Sequence, residues 1–299
     1  MTIALRLFYR KIYVSGIGNI PSKGPAVILA NHPSSLMDAA IIGLLLKRPV
    51  HFFTRGDVFI NKGVNYIFSR LRMIPVYTHE GEGRGRSTVG FNEASYKKAE
   101  KILTKGGLLL FFPEGNSRPG HQLALLRKGV FRMAFRAAEE NDFRYDIPFI
   151  PTGINYEDPV ESNKTVLVHF GKPFLLSEYR QAYSDNPRGA LLQLCRDGFA
   201  AMEKTVLHIK DSADFQLAEA CLTITRSQLS GLSLKPEQGM EKEGLLKGDS
   251  HSATRFELEK KVCDKLNNMD RAARLELEAG ISNYLEALKK YGLEDRTLL

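Results

Sequence analysis

The sequence predicts an α/β protein whose central sheet is mixed but largely parallel, flanked by helices and followed by a helical C-terminal extension. Three observations support this. Six short apolar runs are rich in β-branched and aromatic residues, helical patterns separate the first five runs, and the last third of the chain repeats apolar residues at helical spacing. Such an alternation of strands and helices is typical of a layered α/β domain.

The six runs are too short for buried helices and therefore predict strands. They span residues 26–30, 50–54, 73–77, 107–112, 147–156 and 165–170. The helices between them are predicted at residues 34–46, 58–71, 88–105 and 127–139, and Gly106 and Gly107 end the third. Because ligands bind at the carboxyl ends of the strands in such sheets, we expect the loops after the first and fourth strands to meet.

The C-terminal part divides into three predicted segments. Residues 177–234 are helical, and residues 234–252 read as a linker rich in Gly, Lys, Glu and Ser. Apolar residues from Leu258 to Leu288 then recur every three or four positions, with a break expected near Asn267 and Asn268. We therefore expect an α/β domain over residues 1–209, with an amphipathic N-terminal segment, and a helical region over residues 210–299.

The charge of the chain predicts an anionic partner. The 299 residues are 43% apolar and 25% charged, as in globular proteins, with a formal net charge of +8. A phospholipid surface, a phosphorylated substrate, an acidic carrier protein and nucleic acid all satisfy this charge. The basic residues are dispersed and form no nucleic-acid motif, so we expect no nucleic-acid partner.

Cysteines and apolar runs predict the cellular setting. Cys195, Cys221 and Cys263 lack the spacing of a zinc site and are expected to be reduced structural thiols. Cations interrupt the apolar residues of the first 14 positions, which argues against a signal peptide. We expect a cytoplasmic protein that is peripheral on the inner face of the cytoplasmic membrane. The first 14 residues either lie on that anionic surface or form an edge of the main domain.

The stretch NHPSSLMD places a histidine and a carboxylate directly after the first predicted strand. His32 can exchange a proton near neutral pH, and Asp38 can orient its ring and stabilise the imidazolium. The alternative is structural. Ser34 or Ser35 would cap the helix, and Asp38 would favour its first turn through the helix dipole.

The stretch FFPEGNSRPG follows the fourth predicted strand and combines a carboxylate, a glycine and a cation. Backbone N–H groups beside a glycine, together with a guanidinium, suit phosphate recognition. A solvated turn is the alternative, since turns use the same residue types. The candidate binding residues are Glu114, Gly115, Asn116, Ser117, Arg118 and Lys128.

Five ordered motifs resemble the glycerolipid acyltransferase family, which includes 1-acylglycerol-3-phosphate acyltransferases. They are GIGNIPSKGPAVILANHPSS, MIPVY, LLLFFPEGNSRP, RKGVFRMA and IPTGINY, and the resemblance covers about residues 5–175. It implies transfer of a fatty acyl group from acyl-CoA or acyl carrier protein to a glycerolipid hydroxyl, with lysophosphatidate as the first candidate acceptor. It requires no metal or redox cofactor.

The resemblance also implies roles for individual residues. His32 would be the general base, Asp38 its orienting carboxylate, and Glu114 and Gly115 part of the acceptor-binding loop. Arg118 would bind phosphate, with Lys128 as a substitute. The chain departs from the family pattern by one additional residue between the histidine and the aspartate, by a guanidinium one position later in the second loop, and by a missing arginine after MIPV.

Two other functions remain as alternatives. A non-catalytic lipid-binding or scaffolding protein would keep the fold and use its C-terminal helices for a partner. A lipid hydrolase would use His32 to activate water and would release fatty acid without an acceptor.

Overall fold

The computed structural model describes residues 8–58, 61–76, 89–117, 120, 122–231, 246–247 and 249–293. Nine strands within these residues form one sheet. The strands are β1 (Tyr9–Ser15), β2 (Ala26–Ala30), β3 (Val50–Arg55), β4 (Met73–Val76), β5 (Leu108–Phe111), β6 (Pro148–Tyr156), β7 (Lys164–Phe170), β8 (Phe174–Leu175) and β9 (Leu246–Lys247). All six predicted strands are confirmed to within one or two residues at each end.

The sheet is mixed and largely parallel, as predicted. Its order is β4-β3-β5-β2-β6-β7-β1-β9, and β8 pairs with β6. Strands β4, β3, β5, β2 and β6 run parallel to one another, whereas β7 is antiparallel to β6. The carboxyl ends of β2, β5 and β6 therefore lie side by side at one edge.

Helices connect and cover the strands. They are α1 (Leu36–Leu45), α2 (Lys62–Arg70), α3 (Val89–Thr104), α4 (Gly129–Glu139), α5 (Arg180–Asp185), α6 (Pro187–Glu203), α7 (Phe215–Gly231), α8 (Asp249–Asn267) and α9 (Arg271–Tyr291). The four helices predicted between the strands are confirmed. Helix α1 begins two residues later than predicted because Ser35 has a φ of 47°, outside the helical region.

The strands alternate their side chains between two apolar cores. Val27 and Leu29 of β2 face one core, which they share with Phe131 and Phe135 of α4. Ile28 faces the opposite core. The second core also contains Ile41 and Ile42 of α1. This alternation follows from the period of two in a strand, and burial of β2 on both faces explains its uninterrupted apolar sequence.

The C-terminal helices pack against β1 and β7, toward the other end of the same sheet. Tyr13 of β1 and Leu167 of β7 share a core with Phe256 and Cys263 of α8. The break predicted near residues 267 and 268 is confirmed, because α8 ends at Asn267 and Asp270 caps α9. The proposed boundary between residues 209 and 210 stays a prediction.

Three segments differ from the sequence expectations. Residues 204–214 interrupt the predicted helix 177–234 with a turn, an irregular segment and a short 3-10 helix, and the Asn155 side chain accepts a hydrogen bond from the Leu207 N–H at 2.8 Å, which ties this segment to β6. Tyr9–Ser15 is a largely buried strand of the main domain, and residues 1–7 lie outside the described residues. At the end of the predicted linker, Leu246–Lys247 pairs with β1 and α8 already begins at Asp249. Residues 232–245 lie outside the described part.

Within the described part of the chain, no helix combines the length and the apolar character needed to cross a bilayer.

Candidate active site

His32 lies just beyond the carboxyl end of β2, where Asn31 fixes the backbone. The Asn31 side chain donates to the Ile154 carbonyl oxygen (3.1 Å) and accepts from the Ile154 N–H (2.7 Å), joining the end of β2 to β6. The His32 ring stacks on Phe112, with ring centroids 3.9 Å apart. The histidine is therefore held at the sheet edge by one hydrogen-bonded anchor and one aromatic contact.

Asp38 lies in the first turn of α1 and points back at His32. Its Oδ2 lies 2.8 Å from Nδ1 of His32 and accepts the Ser34 N–H at 2.9 Å. Its Oδ1 accepts the hydroxyl of Tyr156 at 2.7 Å. The aspartate side chain is fully buried, whereas the His32 side chain retains 19% of its exposure.

This geometry assigns the His32 tautomer. An ionised carboxylate only accepts hydrogen bonds, so Nδ1 carries the proton that faces Asp38, and Nε2 keeps its lone pair. Neither serine caps α1 through its side chain as the structural alternative expected. The Ser35 side chain makes no capping bond, and the Ser34 hydroxyl donates to the Pro159 carbonyl oxygen at 3.0 Å.

Tyr156, the last residue of β6, is the third member of this group. Burial raises its pKa well above the ordinary value, and the negative charge of Asp38 raises it further. The phenol therefore stays protonated at neutral pH and remains a donor to Asp38. Burial also raises the pKa of the neighbouring Tyr9, whose ring centroid is 5.9 Å from that of Tyr156.

Glu114 connects the second motif loop to the first. Its Oε1 accepts the His32 N–H at 3.2 Å, and its Oε2 accepts the Ala124 N–H at 2.9 Å. The side chain is buried. The two loops predicted to meet do so, and the glutamate holds both backbones. Whether it also contacts an acceptor lipid stays a prediction.

Gly115 brings a guanidinium onto the second loop. Its φ of +82° lies in the region that favours glycine, and a Cβ there would lie 2.4 Å from Nε of Arg127. Arg127 is exposed, and its N–H donates to the Pro113 carbonyl oxygen at 2.8 Å. The Arg127 side chain therefore crosses the glutamate-glycine bend.

The other predicted binding residues are placed as follows. The Ser117 hydroxyl accepts the Ser35 N–H at 3.1 Å, which ties the two loops together a second time. Asn116 is half-buried in the same loop. Lys128 precedes α4 near Cys195, where its charge opposes the rise in pKa that burial causes in that thiol. Arg118 lies outside the described residues.

Three residues of the site were not among the sequence candidates: Tyr156, Phe112 and Arg127. A polar aromatic residue at the carboxyl end of a predicted strand was a usable signal for Tyr156. Arg127 is next to the candidate Lys128. The sequence therefore predicted a cation in this part of the loop, but the predicted residue was Lys128 instead of Arg127.

Comparisons with known proteins find similarity to acyltransferases over part of the chain. Residues 11–155, just under half of the chain, match the family model Acyltransferase. The match falls on the region that carries the five motifs, which resemble those of glycerolipid acyltransferases.

Individual relatives match over a similar length of the chain. The chain is 28% identical over 134 residues to the chloroplastic 1-acyl-sn-glycerol-3-phosphate acyltransferase LPAT1 of Arabidopsis thaliana, covering 44% of this chain and 35% of that protein. It is 28% identical over 134 residues to the 1-acyl-sn-glycerol-3-phosphate acyltransferase of Borreliella burgdorferi, covering 45% of this chain and 50% of that protein. The chain thus spans between a third and a half of the length of these relatives.

Among solved structures, the chain resembles the 1-acyl-sn-glycerophosphate (LPA) acyltransferase PlsC of Thermotoga maritima. The sequence identity is 19% and the TM-score 0.44, over 64% of this chain and 71% of that one.

Proposed function

We propose that the protein transfers a fatty acyl group from acyl-CoA or acyl carrier protein to the free hydroxyl of lysophosphatidate. The product would be phosphatidate. The single observation that carries this proposal is the contact of 2.8 Å between Nδ1 of His32 and the buried Asp38 carboxylate. It leaves Nε2 as the basic nitrogen of a partly exposed ring at the binding edge of the sheet.

His32 acts as the general base in this mechanism, with Asp38 as its orienting group. Nε2 takes the proton of the acceptor hydroxyl while the hydroxyl oxygen attacks the thioester carbonyl carbon. Asp38 stabilises the imidazolium that results. The tetrahedral intermediate collapses by breaking its carbon-sulfur bond, and the imidazolium returns the proton to the thiolate. No acyl-enzyme intermediate and no metal are needed for these steps.

In this proposal the second loop binds the phosphate of the acceptor. Arg127 crosses Gly115 and is exposed, so its guanidinium can meet an anionic headgroup at the bend. Lys128 and Arg118 remain further candidates from the sequence. The setting we propose is the inner face of the cytoplasmic membrane, in keeping with the basic charge of the chain.

Release of the thiol from an acyl thioester tests the proposal. Purified protein is given acyl-CoA or acyl carrier protein, with lysophosphatidate or with other lysophospholipids. We expect thiol release that depends on lysophosphatidate. The His32→Ala variant should lose about a hundredfold to ten-thousandfold in rate, the usual contribution of a general base.

His51 supplies the matched control, because it is a partly buried histidine on β3 rather than in the motif loop. The His51→Ala variant should keep its thiol release within a few-fold of the parent. Full activity of His32→Ala would refute the catalytic assignment. Release of fatty acid without an acceptor would instead indicate a hydrolase, and an absence of any thiol release would favour the non-catalytic alternative.

A further inference from the structure

Helix α2 carries an apolar stripe that lies on the surface of the molecule. Ile67 and Phe68 of α2, together with Leu71 directly after its last residue, follow the three- and four-residue spacing with which a helix normally faces a core. Yet Ile67 is 56% exposed and Leu71 46% exposed, while Phe68 is only half-buried. Tyr66 beside the stripe is 66% exposed. An amphipathic helix whose apolar side is left exposed by the described part of the chain is typical of a segment that lies in a membrane interface.

The charges around this helix favour an anionic surface. Lys62, Arg70 and Arg72 are all exposed, and residues 58–79 contain no acidic side chain. Residues 1–79 contain ten Lys and Arg residues and two acids, a difference that equals the whole net charge of +8. Residues 80–299 taken together carry equal numbers of cations and acids, and the basic character of the first 79 residues fits anionic lipid headgroups.

The position of α2 relates it to the candidate active site. Strand β3, which precedes α2, runs parallel to β2 through β5, so the chain leaves β3 at the edge where His32 lies, and α2 then returns toward the opposite edge, where β4 begins at Met73. The edge of His32 has further exposed apolar side chains. Leu36 begins α1, Leu125 adjoins the Ala124 that donates to Glu114, and Val160 adjoins the Pro159 that accepts from Ser34.

We propose that α2 is the element that docks this protein on an anionic bilayer. Ile67 and Leu71 enter the boundary between headgroups and acyl chains, Tyr66 lies at headgroup level, and the flanking cations contact lipid phosphates. This inference rests on the proposed function, since a lysolipid acceptor resides in the bilayer surface. It names the surface of the protein that meets the bilayer.

A tryptophan reporter tests the docking, because the chain has no tryptophan of its own. Tyr66→Trp is compared with Tyr291→Trp at the end of α9, where the tyrosine is 69% exposed against 66% at Tyr66. Vesicles contain equal parts of phosphatidylcholine and phosphatidylglycerol. We expect the emission of Tyr66→Trp to shift to the blue and to be quenched by lipids brominated in their acyl chains, and that of Tyr291→Trp to do neither.

A second pair of variants measures the binding itself. The double variant Ile67→Ser, Leu71→Ser should reduce the partition coefficient of the protein on these vesicles by about tenfold or more, because two apolar side chains lose their burial in lipid. Its control is Leu275→Ser, Leu285→Ser on α9, where the leucines are 57% and 47% exposed, and it should bind as the parent does. Binding should also weaken as salt is raised.

Two outcomes would overturn the docking role. The first is that the α2 variant and the parent partition equally onto the vesicles. The second is that the two tryptophan positions give the same emission and quenching, which would follow if another segment covers α2. Thiol release with a short-chain, water-soluble lysophosphatidate separates this inference from the proposed function. Retained release in an α2 variant that no longer binds vesicles supports both. Vesicle binding by a parent that never releases thiol would refute the function alone.

Discussion

The Tyr156 hydroxyl donates a hydrogen bond to Asp38 at 2.7 Å, although the two residues are 118 positions apart in the chain. The same carboxylate contacts His32 through its other oxygen. The phenol thus fixes the rotation of the aspartate and, through it, the plane of the imidazole. Because Tyr156 reaches His32 only through Asp38, we regard it as a positioning residue.

The Tyr156→Phe variant tests this role. It removes one hydrogen bond to a buried carboxylate and keeps the aromatic packing. We expect kcat for thiol release to fall by about tenfold to a hundredfold, by analogy with residues that orient metal-ligating histidines, with KM for the acceptor little changed. The free energy of unfolding should fall by about 1–3 kcal/mol, because an acceptor site of Asp38 is left without its donor.

The exposed Tyr145 provides the control, since Tyr145→Phe removes a phenolic hydroxyl that belongs to neither motif loop. Its kinetics and its urea midpoint should match those of the parent. A Tyr156→Phe variant with unchanged kcat would show that Asp38 orients His32 without help from the phenol.

A variant of Glu114 can distinguish a structural role from a role in acceptor binding. It holds the His32 and Ala124 N–H groups, one on each carboxylate oxygen, whereas the family resemblance assigns it to acceptor binding. In Glu114→Gln one of these N–H groups faces an amide NH2, which cannot accept. We expect the free energy of unfolding to fall by about 1–3 kcal/mol and kcat to fall with it.

Steady-state kinetics and urea unfolding of the same preparation distinguish the roles. A purely structural glutamate changes stability and kcat but leaves KM for lysophosphatidate unaltered. A rise in KM with unchanged stability would instead support direct contact with the acceptor.

The sequence was sufficient for the parts of the fold that depend on local pattern. Strands such as β2 are buried on both faces and therefore apolar throughout, and α1 follows with a turn sequence that ends the strand. The pairing of His32 with Asp38 is also local, because the two residues are six positions apart, across one turn and the start of a helix.

The features that the sequence did not predict depend on contacts between distant segments of the chain. Tyr156 reaches Asp38 only because β6 lies beside β2, which a single sequence does not specify. Arg127 and Lys128 are adjacent cations, and the course of the chain into α4 decides which of them crosses Gly115. Likewise β1 reads as an amphipathic segment until its pairing with β7 buries it.

Gly115 combines two demands that only glycine meets. Its φ is +82°, which costs other residues about 1–2 kcal/mol, and a Cβ would lie 2.4 Å from Nε of Arg127. The Gly115→Ala variant must therefore strain the bend and displace the guanidinium. We expect KM for lysophosphatidate to rise about tenfold, and the free energy of unfolding to fall by about 1 kcal/mol.

The control for this variant is Gly280→Ala on α9, where a Cβ meets nothing within 4 Å and φ is not positive. Alanine there should leave KM unchanged and stabilise the helix by about 0.5–1 kcal/mol. If Gly115→Ala binds lysophosphatidate as tightly as the parent, Arg127 has no part in headgroup recognition.

Glu100 of α3 predicts how stability depends on pH. Burial raises the pKa of this carboxyl above 4.5, although the Arg136 guanidinium, 3.0 Å away, works in the opposite direction. The native state therefore binds a proton at a higher pH than the unfolded state does. Below about pH 4.5 both states are protonated, and as pH rises through the native pKa the free energy of unfolding falls. Glu100→Gln removes this loss, so the free energy of unfolding of the variant should match that of the parent near pH 4 and exceed it at pH 7.

Glu93→Gln on the same helix is the control, and its effect on stability should have the opposite sign, because a hydrogen bond from Arg136 lowers the pKa of Glu93. Stability supplied by Glu93 is present above pH 4.5 and lost as pH falls, so its removal should destabilise at pH 7. Urea unfolding at both pH values measures these differences. A Glu100→Gln variant that is less stable than the parent at pH 7 would mean that its ion pair with Arg136 outweighs the cost of burying the charge.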